Sequence, residues 1–184
     1  MSLVGPSGCG KSTLLKAVLG THPPKEGEIF AEGFRILEPT RNVGIVYQDY
    51  SLYDFMTALE NVAFGLEQDQ THMPYRFFCY PAWRKLRKAH LEQAHAMLEK
   101  VGMEGAADQY PGQMSGGQRQ RVAIAQAIIM QPKVLLLDEP FGALDEATRE
   151  SLQDLLVSLR RENEACLATA QPPKHTVVIV THEL

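Results

Sequence analysis

Cysteine is scarce in this sequence, and the three present, Cys9, Cys79 and Cys166, include no pair at CxxC spacing. An odd number without that spacing argues against a disulfide framework or a cysteine zinc site and fits a reducing, cytoplasmic setting. Long apolar runs are missing as well. Nothing approaches the roughly 20 residues a membrane-spanning helix needs, and no charged stretch followed by an apolar one opens the chain. The chain is therefore expected to be soluble, with any membrane role reached through a partner. An excess of one charge is also absent: 18 Lys and Arg against 22 Asp and Glu leave a formal −4, so no global field draws the chain to nucleic acid or to an anionic surface. There is no internal repeat. What is present, 45% apolar residues over 184 positions, suits one packed domain or a domain with a subdomain.

Against that plain background one stretch stands out. Gly5-Pro6-Ser7-Gly8-Cys9-Gly10-Lys11-Ser12-Thr13 fills the G-x-x-x-x-G-K-[ST] pattern of a phosphate loop. Glycines at 5, 8 and 10 allow dihedrals closed to other residues, and successive N–H groups then converge as a concave anion nest. Lys11 adds a point charge for the β and γ phosphates, and the Ser12 hydroxyl is placed to ligate Mg²⁺. The following run to Gly20 reads as a helix with its positive pole toward the phosphates. Ser2-Leu3-Val4 is the strand feeding the loop.

Further on, hydrophobic periodicity predicts strands over 28–33 and 42–48. Thr57-Ala-Leu-Glu60 is a capping box opening a helix to about Glu67. A polar linker and an aromatic stretch then lead into a helix over 82–100, with Leu86, His90, Ala94, Met97 and Val101 as its apolar stripe. A helix over 116–130, a strand over 133–137, a helix over 146–161 and a strand over 176–180 complete the pass. Aliphatic strands alternating with helices imply a mostly parallel sheet covered on both faces. The fold class is α/β with an inserted α-helical subdomain. The core is expected to comprise 1–48 and 119–184, and the helical subdomain 49–118.

Val134-Leu-Leu-Leu-Asp138-Glu139-Pro140 is a buried strand ending in two carboxylates, the place where open α/β sheets gather catalytic groups. Asp138 suits Mg²⁺ through its water shell, and Glu139 suits the base that orients the attacking water. Ser115-Gly116-Gly117-Gln118 opens a helix as a second nest of N–H groups; a capped helix start with glycines is the plainer alternative.

Taken together, the phosphate loop, Met114-Ser-Gly-Gly-Gln118, the carboxylate strand, Gly142-Ala-Leu-Asp145 and Thr181-His182 resemble, in order, the nucleotide-binding subunit of an ATP-binding cassette transporter. Met114 replaces the usual Leu. That resemblance implies a phosphate-loop NTPase, RecA-like core that binds ATP with Mg²⁺ and hydrolyses it, and a head-to-tail homodimer with ATP between the chains. Ser115, Gly116, Gly117 and Gln118 of one copy would close over phosphates held by residues 5–13 of the other. It further implies that Gln48 contacts Mg²⁺ and the attacking water, that Asp145 lies at the dimer contact, and that His182 braces the γ-phosphate and Glu139. In the family, residues around 49–66, with Asp49, Tyr50 and Leu52, would receive a membrane permease, placing the subunit at the inner face of the cell membrane. The tone of residues 43–66 is closest to importers of nitrate, sulfonate or taurine. A non-transport cassette ATPase and an ATP-binding fragment without turnover are the competing readings.

Two features stand apart from that pattern. Arg76, Arg84, Lys85, Arg87 and Lys88 mix with Phe77, Phe78, Tyr80 and Trp83 without an acid. Such a mixture serves nucleic acid or a membrane surface, but an elaborated helical subdomain with aromatics inward is favoured, and no nucleic acid is expected. Relatives also carry strands and an adenine-stacking aromatic before the phosphate loop, and more chain after His182. The chain is thus expected to be shortened at both ends, with weakened ATP affinity and poor adenine selectivity.

Overall fold

The computed structural model describes residues 1–6, 8–31, 33–70, 80–142, 144, 146–168 and 175–181. Four strands form one parallel sheet in the order β1-β6-β5-β4: β1 (Ser2–Val4), β4 (Val43–Val46), β5 (Val134–Asp138) and β6 (Thr176–Thr181). β5 carries Leu135, Leu136 and Leu137 without polar alternation because it is buried on both faces, and all three are fully buried. Helix α1 (Lys11–Leu19) lays Leu15 and Leu19 into a core with Ile36, Val43, Leu136 and Val180. Gly20 ends α1 with φ +88°, and a Cβ there would stand 2.5 Å from the Glu38 carbonyl carbon, so both backbone conformation and space demand glycine.

A separate antiparallel pair joins β2 (Phe30–Ala31) to β3 (Phe34–Arg35). The expected single strand over 28–33 is thus half of a hairpin, reversed at Gly33, whose φ is +80°.

Chain contacts divide the molecule into 1–50 with 131–184, and 51–130. The second unit holds α2 (Ala58–Gln70), α3 (Tyr80–Lys100) and α4 (Gly116–Ile128), with single 3-10 turns at Glu104–Ala106 and Pro111–Gln113. A boundary after Gln118 would cut α4 in two. The observed division at 130/131 keeps that helix whole, because Val122, Ile124, Ala125 and Ile128 are buried in it and it packs on α2 and α3.

On α3 the buried stripe is His90, Ala94 and Leu98, so Leu98 rather than Met97 faces inward. Burial holds the His90 imidazole below its ordinary pKa, and Glu67 opposes that shift. α5 (Glu146–Ala168) runs beyond the expected Arg161. Among the described residues, no helix is long and apolar enough to cross a membrane.

Candidate phosphate-binding and catalytic site

The loop between β1 and α1 takes the shape that the glycine spacing requires. Gly8 and Gly10 have φ of +81° and +98°, and a Cβ at either would meet nothing within 4 Å. Glycine is needed there for dihedrals, not for room. Gly10 is the N-cap of α1, and its carbonyl accepts from the Leu14 N–H at 3.0 Å. The Cys9 N–H donates to the Pro6 carbonyl at 3.3 Å, tightening the turn.

Strand β6 aligns the two halves of the site because it lies between β1 and β5. Its Thr181 carbonyl accepts from the Gly5 N–H at 3.4 Å, and its Val180 carbonyl accepts from the Glu139 N–H at 2.9 Å. Ser12 Oγ therefore comes within 3.4 Å of Asp138 Oδ1, although the residues are 126 positions apart. Gly8, Gly10, Lys11, Ser12, Thr13, Gln48 and Glu139 line one open hollow of about 430 Å³. Glu139 has φ +48°, a left-handed conformation that bulky residues avoid. A Cβ on Gly142 would lie 3.8 Å from Glu139 Oε2, so the carboxylate rests over a position without a side chain. Backbone strain at such a residue is the kind that functional sites retain.

Gly5, Pro6, Gly8, Cys9, Gly10, Lys11, Ser12, Thr13, Gln48, Asp138 and Glu139 thus fall around one place in the first unit. Ser7, Asp145 and His182 lie outside the described residues, as do Arg76, Phe77 and Phe78. Tyr47 was not singled out from sequence. Burial first, then the Asp49 and Asp138 charges, push its phenol above the ordinary value, so its ring sits in the field of the Asp138 carboxylate. Its place immediately before Gln48, just past the end of β4, was the available signal.

In the helical unit Ser115 is the N-cap of α4. Its Oγ accepts from the Gln118 N–H at 3.2 Å, and its own N–H donates to Gln118 Oε1 at 2.8 Å, a reciprocal capping box. The capped helix start is thus present, and Gly116 and Gly117 occupy its first turn, where backbone N–H groups have no acceptor within the helix. In the same unit, Asn61 holds the segment before α2. Its Nδ2 donates to the carbonyls of Tyr53, Met56 and Thr57 at 3.0 to 3.1 Å, and its Oδ1 accepts from the Tyr53 N–H at 2.8 Å. The segment presents Phe55, 73% exposed, and Tyr53. Their rings and Phe64 form a cluster, with Tyr53 to Phe64 centroids 4.7 Å apart.

A family model described as ABC transporter matches residues 1–142. This chain belongs to that family. Its fold is the family's phosphate-loop α/β core with an inserted helical unit. The structure is similar to the ATP-binding cassette MJ0796, solved as a dimer in a post-hydrolysis state bound to ADP and Pi, with a TM-score of 0.76 at 33% identity over 99% of this chain and 74% of that one. The taurine import ATP-binding protein TauB of Escherichia coli K12 is 42% identical over 99% of this chain and 62% of its own length. The sulfate/thiosulfate import ATP-binding protein CysA of Gloeobacter violaceus is 41% identical over all of this chain and 47% of its own. The chain thus spans about half to three-fifths of these relatives.

Proposed function

We propose that this chain is the ATP-binding and ATP-hydrolysing part of an ABC importer, energising passage of a small solute through a separate membrane permease. The observation that carries the reading is the gathering of the phosphate loop, the Ser12 and Asp138 oxygens and Glu139 around one hollow in the first unit. Relatives named for taurine and sulfate import favour a small sulfonate, taurine-like or related anionic solute.

In this reading the loop N–H groups and Lys11 hold the phosphates, and Gln48 and Glu139 position water for in-line attack, Glu139 accepting its proton. Ser12 Oγ and Asp138 Oδ1 are adjacent hard oxygen donors with an open side for water, a set that suits Mg²⁺. Bound there with ATP, the ion would neutralise charge developing on the β and γ phosphate oxygens. His182 is assigned the brace on the γ-phosphate by its place in the sequence after β6.

The dimeric neighbour supports a second copy as partner, with Ser115 to Gln118 of each copy completing the other's site; a two-fold axis satisfies both at once. The aromatic cluster of Tyr53, Phe55 and Phe64, within the 49–66 region, supports docking of the permease there, which places the subunit on the cytoplasmic side of the membrane. A hollow of about 250 Å³ lined by Phe55, Met56, Glu60, Phe64, Glu67 and Arg87 lies beside it.

Hydrolysis and dimerisation measured for the parent chain and a Glu139→Gln variant test the proposal. The variant keeps the shape of the side chain but not its basicity, so turnover falls by about 10²- to 10⁴-fold while an ATP-bound dimer accumulates. Absence of turnover in the parent, with no dimer in either, would instead leave an ATP-binding chain without catalysis.

A further inference from the structure

We propose that the N-terminal half of α3 rests on the anionic headgroup layer of a membrane, through Tyr80, Trp83, Arg84, Lys85 and Lys88. From Tyr80 to Leu91 the helix carries four cations and no acid, the first being Glu92. Stepping back from the buried stripe of His90, Ala94 and Leu98 by helical spacing leads to Arg87, Trp83 and Tyr80, so one face continues past the region where α3 is packed. In this stretch Tyr80 is 57% exposed, and its side chains line an open hollow of about 780 Å³.

The charges of this stretch divide by their surroundings. Arg87 is spoken for, with Glu67 at 3.2 Å, Glu60 at 3.8 Å and its guanidinium 5.9 Å from the Trp83 ring centre, so it fixes the indole. The Tyr80 ring lies 5.5 Å from that indole. Lys88 meets Glu92 at 3.8 Å, but both side chains are largely exposed and the pair is weak. Arg84 and Lys85 are exposed and form no ion pair among the described residues. Cations in these first turns also oppose the helix dipole, a cost that an external anion offsets.

Tyr80, Arg84 and Lys88 follow one another at i, i+4 spacing, with Trp83 to one side and Lys85 to the other, and a helix bearing Lys and Arg beside Trp and Tyr is of the kind that lies in a bilayer interface. The amphipathic rings sit at headgroup depth and the cations reach lipid phosphates. The expectation that these aromatics turn inward does not hold for Tyr80. Nucleic acid is disfavoured because a polyanion engages an extended basic groove, whereas the cations described here lie in a few turns of one helix on an acidic chain.

The sole tryptophan of the chain lies in this patch, so its emission reports binding directly. The full chain is titrated with vesicles of phosphatidylcholine containing phosphatidylglycerol, with pure phosphatidylcholine vesicles, and with a single-stranded oligonucleotide. The expected result is a blue shift of Trp83 and co-sedimentation with the anionic vesicles alone, both suppressed by high salt. A doubly substituted chain, Arg84→Gln with Lys85→Gln, weakens partitioning roughly 25-fold, about fivefold per cation. Both positions are exposed, and unchanged circular dichroism verifies that the variant is folded. The proposal is overturned by no response to anionic vesicles, by equal binding to neutral ones, by unchanged partitioning of the variant, or by a stronger Trp83 response to the oligonucleotide. The assay contains neither nucleotide nor permease, so its outcome is independent of the transport reading.

Discussion

Lys11 is engaged within its own loop, donating to the Gly5 carbonyl at 2.7 Å and the Pro6 carbonyl at 2.9 Å. Phosphate binding therefore replaces two hydrogen bonds rather than creating new ones from a free ammonium. Losing a charge-assisted bond of this kind costs about 1.5 to 3 kcal/mol, and the carbonyl bonds surrendered keep the net effect toward the lower end. Lys11→Met is expected to weaken nucleotide binding by roughly 10-fold or somewhat more, read by titration with a fluorescent ATP analogue, with the circular dichroism spectrum unchanged. The loop was legible in the sequence because its chemistry is local: φ > 0 at Gly8 and Gly10 and one lysine at a fixed offset. The left-handed backbone of Glu139 was not. That conformation belongs to a glutamate whose N–H is claimed by Val180 across the sheet, and no propensity predicts such a pairing.

Among the elements, α2 shows how much a single polar residue can decide. Its start was readable: Thr57 and Glu60 form the reciprocal bonds of a capping box, the Thr57 N–H donating to Glu60 Oε2 at 3.1 Å and the Glu60 N–H donating to Thr57 Oγ1 at 3.3 Å. Asn61, fully buried, passed unnoticed because an Asn inside a helix carries no signal until the carbonyls it serves are known. Asn61→Asp keeps the size but turns a donor into an acceptor facing three carbonyl oxygens. It is expected to destabilise the helical unit by about 3 kcal/mol, measured as a lowered midpoint in urea unfolding; an unchanged midpoint would show that the segment from Tyr53 to Thr57 holds itself in place. The same limit explains the other misreadings. Met97 and Leu98 both fit a helical stripe, and only the partner helix selects Leu98. The two residues of β2 needed β3 beside them to count as sheet.

For the molecule as a whole, the two units carry different parts of the proposed composite site: residues 5–13, 138 and 139 in one, Ser115 to Gln118 in the other. Nucleotide at 100 times its Kd stabilises whatever it binds by about 2.7 kcal/mol. With Mg-ATP and the Glu139→Gln variant, amides of α1 are expected to exchange more slowly at any protein concentration. Those of Gly116 and Gly117 should slow only where the chain dimerises. Hydrogen exchange followed by mass spectrometry at two protein concentrations reads both. Concentration-independent protection at Gly116 and Gly117 would count against a second copy completing the site.

By itself the sequence determined the phosphate loop, the carboxylate pair ending a buried strand, the α/β alternation and the capped helix at Ser115, since each rests on neighbouring residues and on backbone sterics. Tertiary structure alone decided that Ser12 and Asp138, 126 positions apart, meet at 3.4 Å, because β6 takes its place between β1 and β5 and sets their ends level. It also decided that α4 belongs whole to the helical unit and that Tyr80 is left exposed beside Trp83. Pairing and packing of distant segments are global choices, made by burying apolar surface and satisfying backbone groups together, and local sequence cannot rank them.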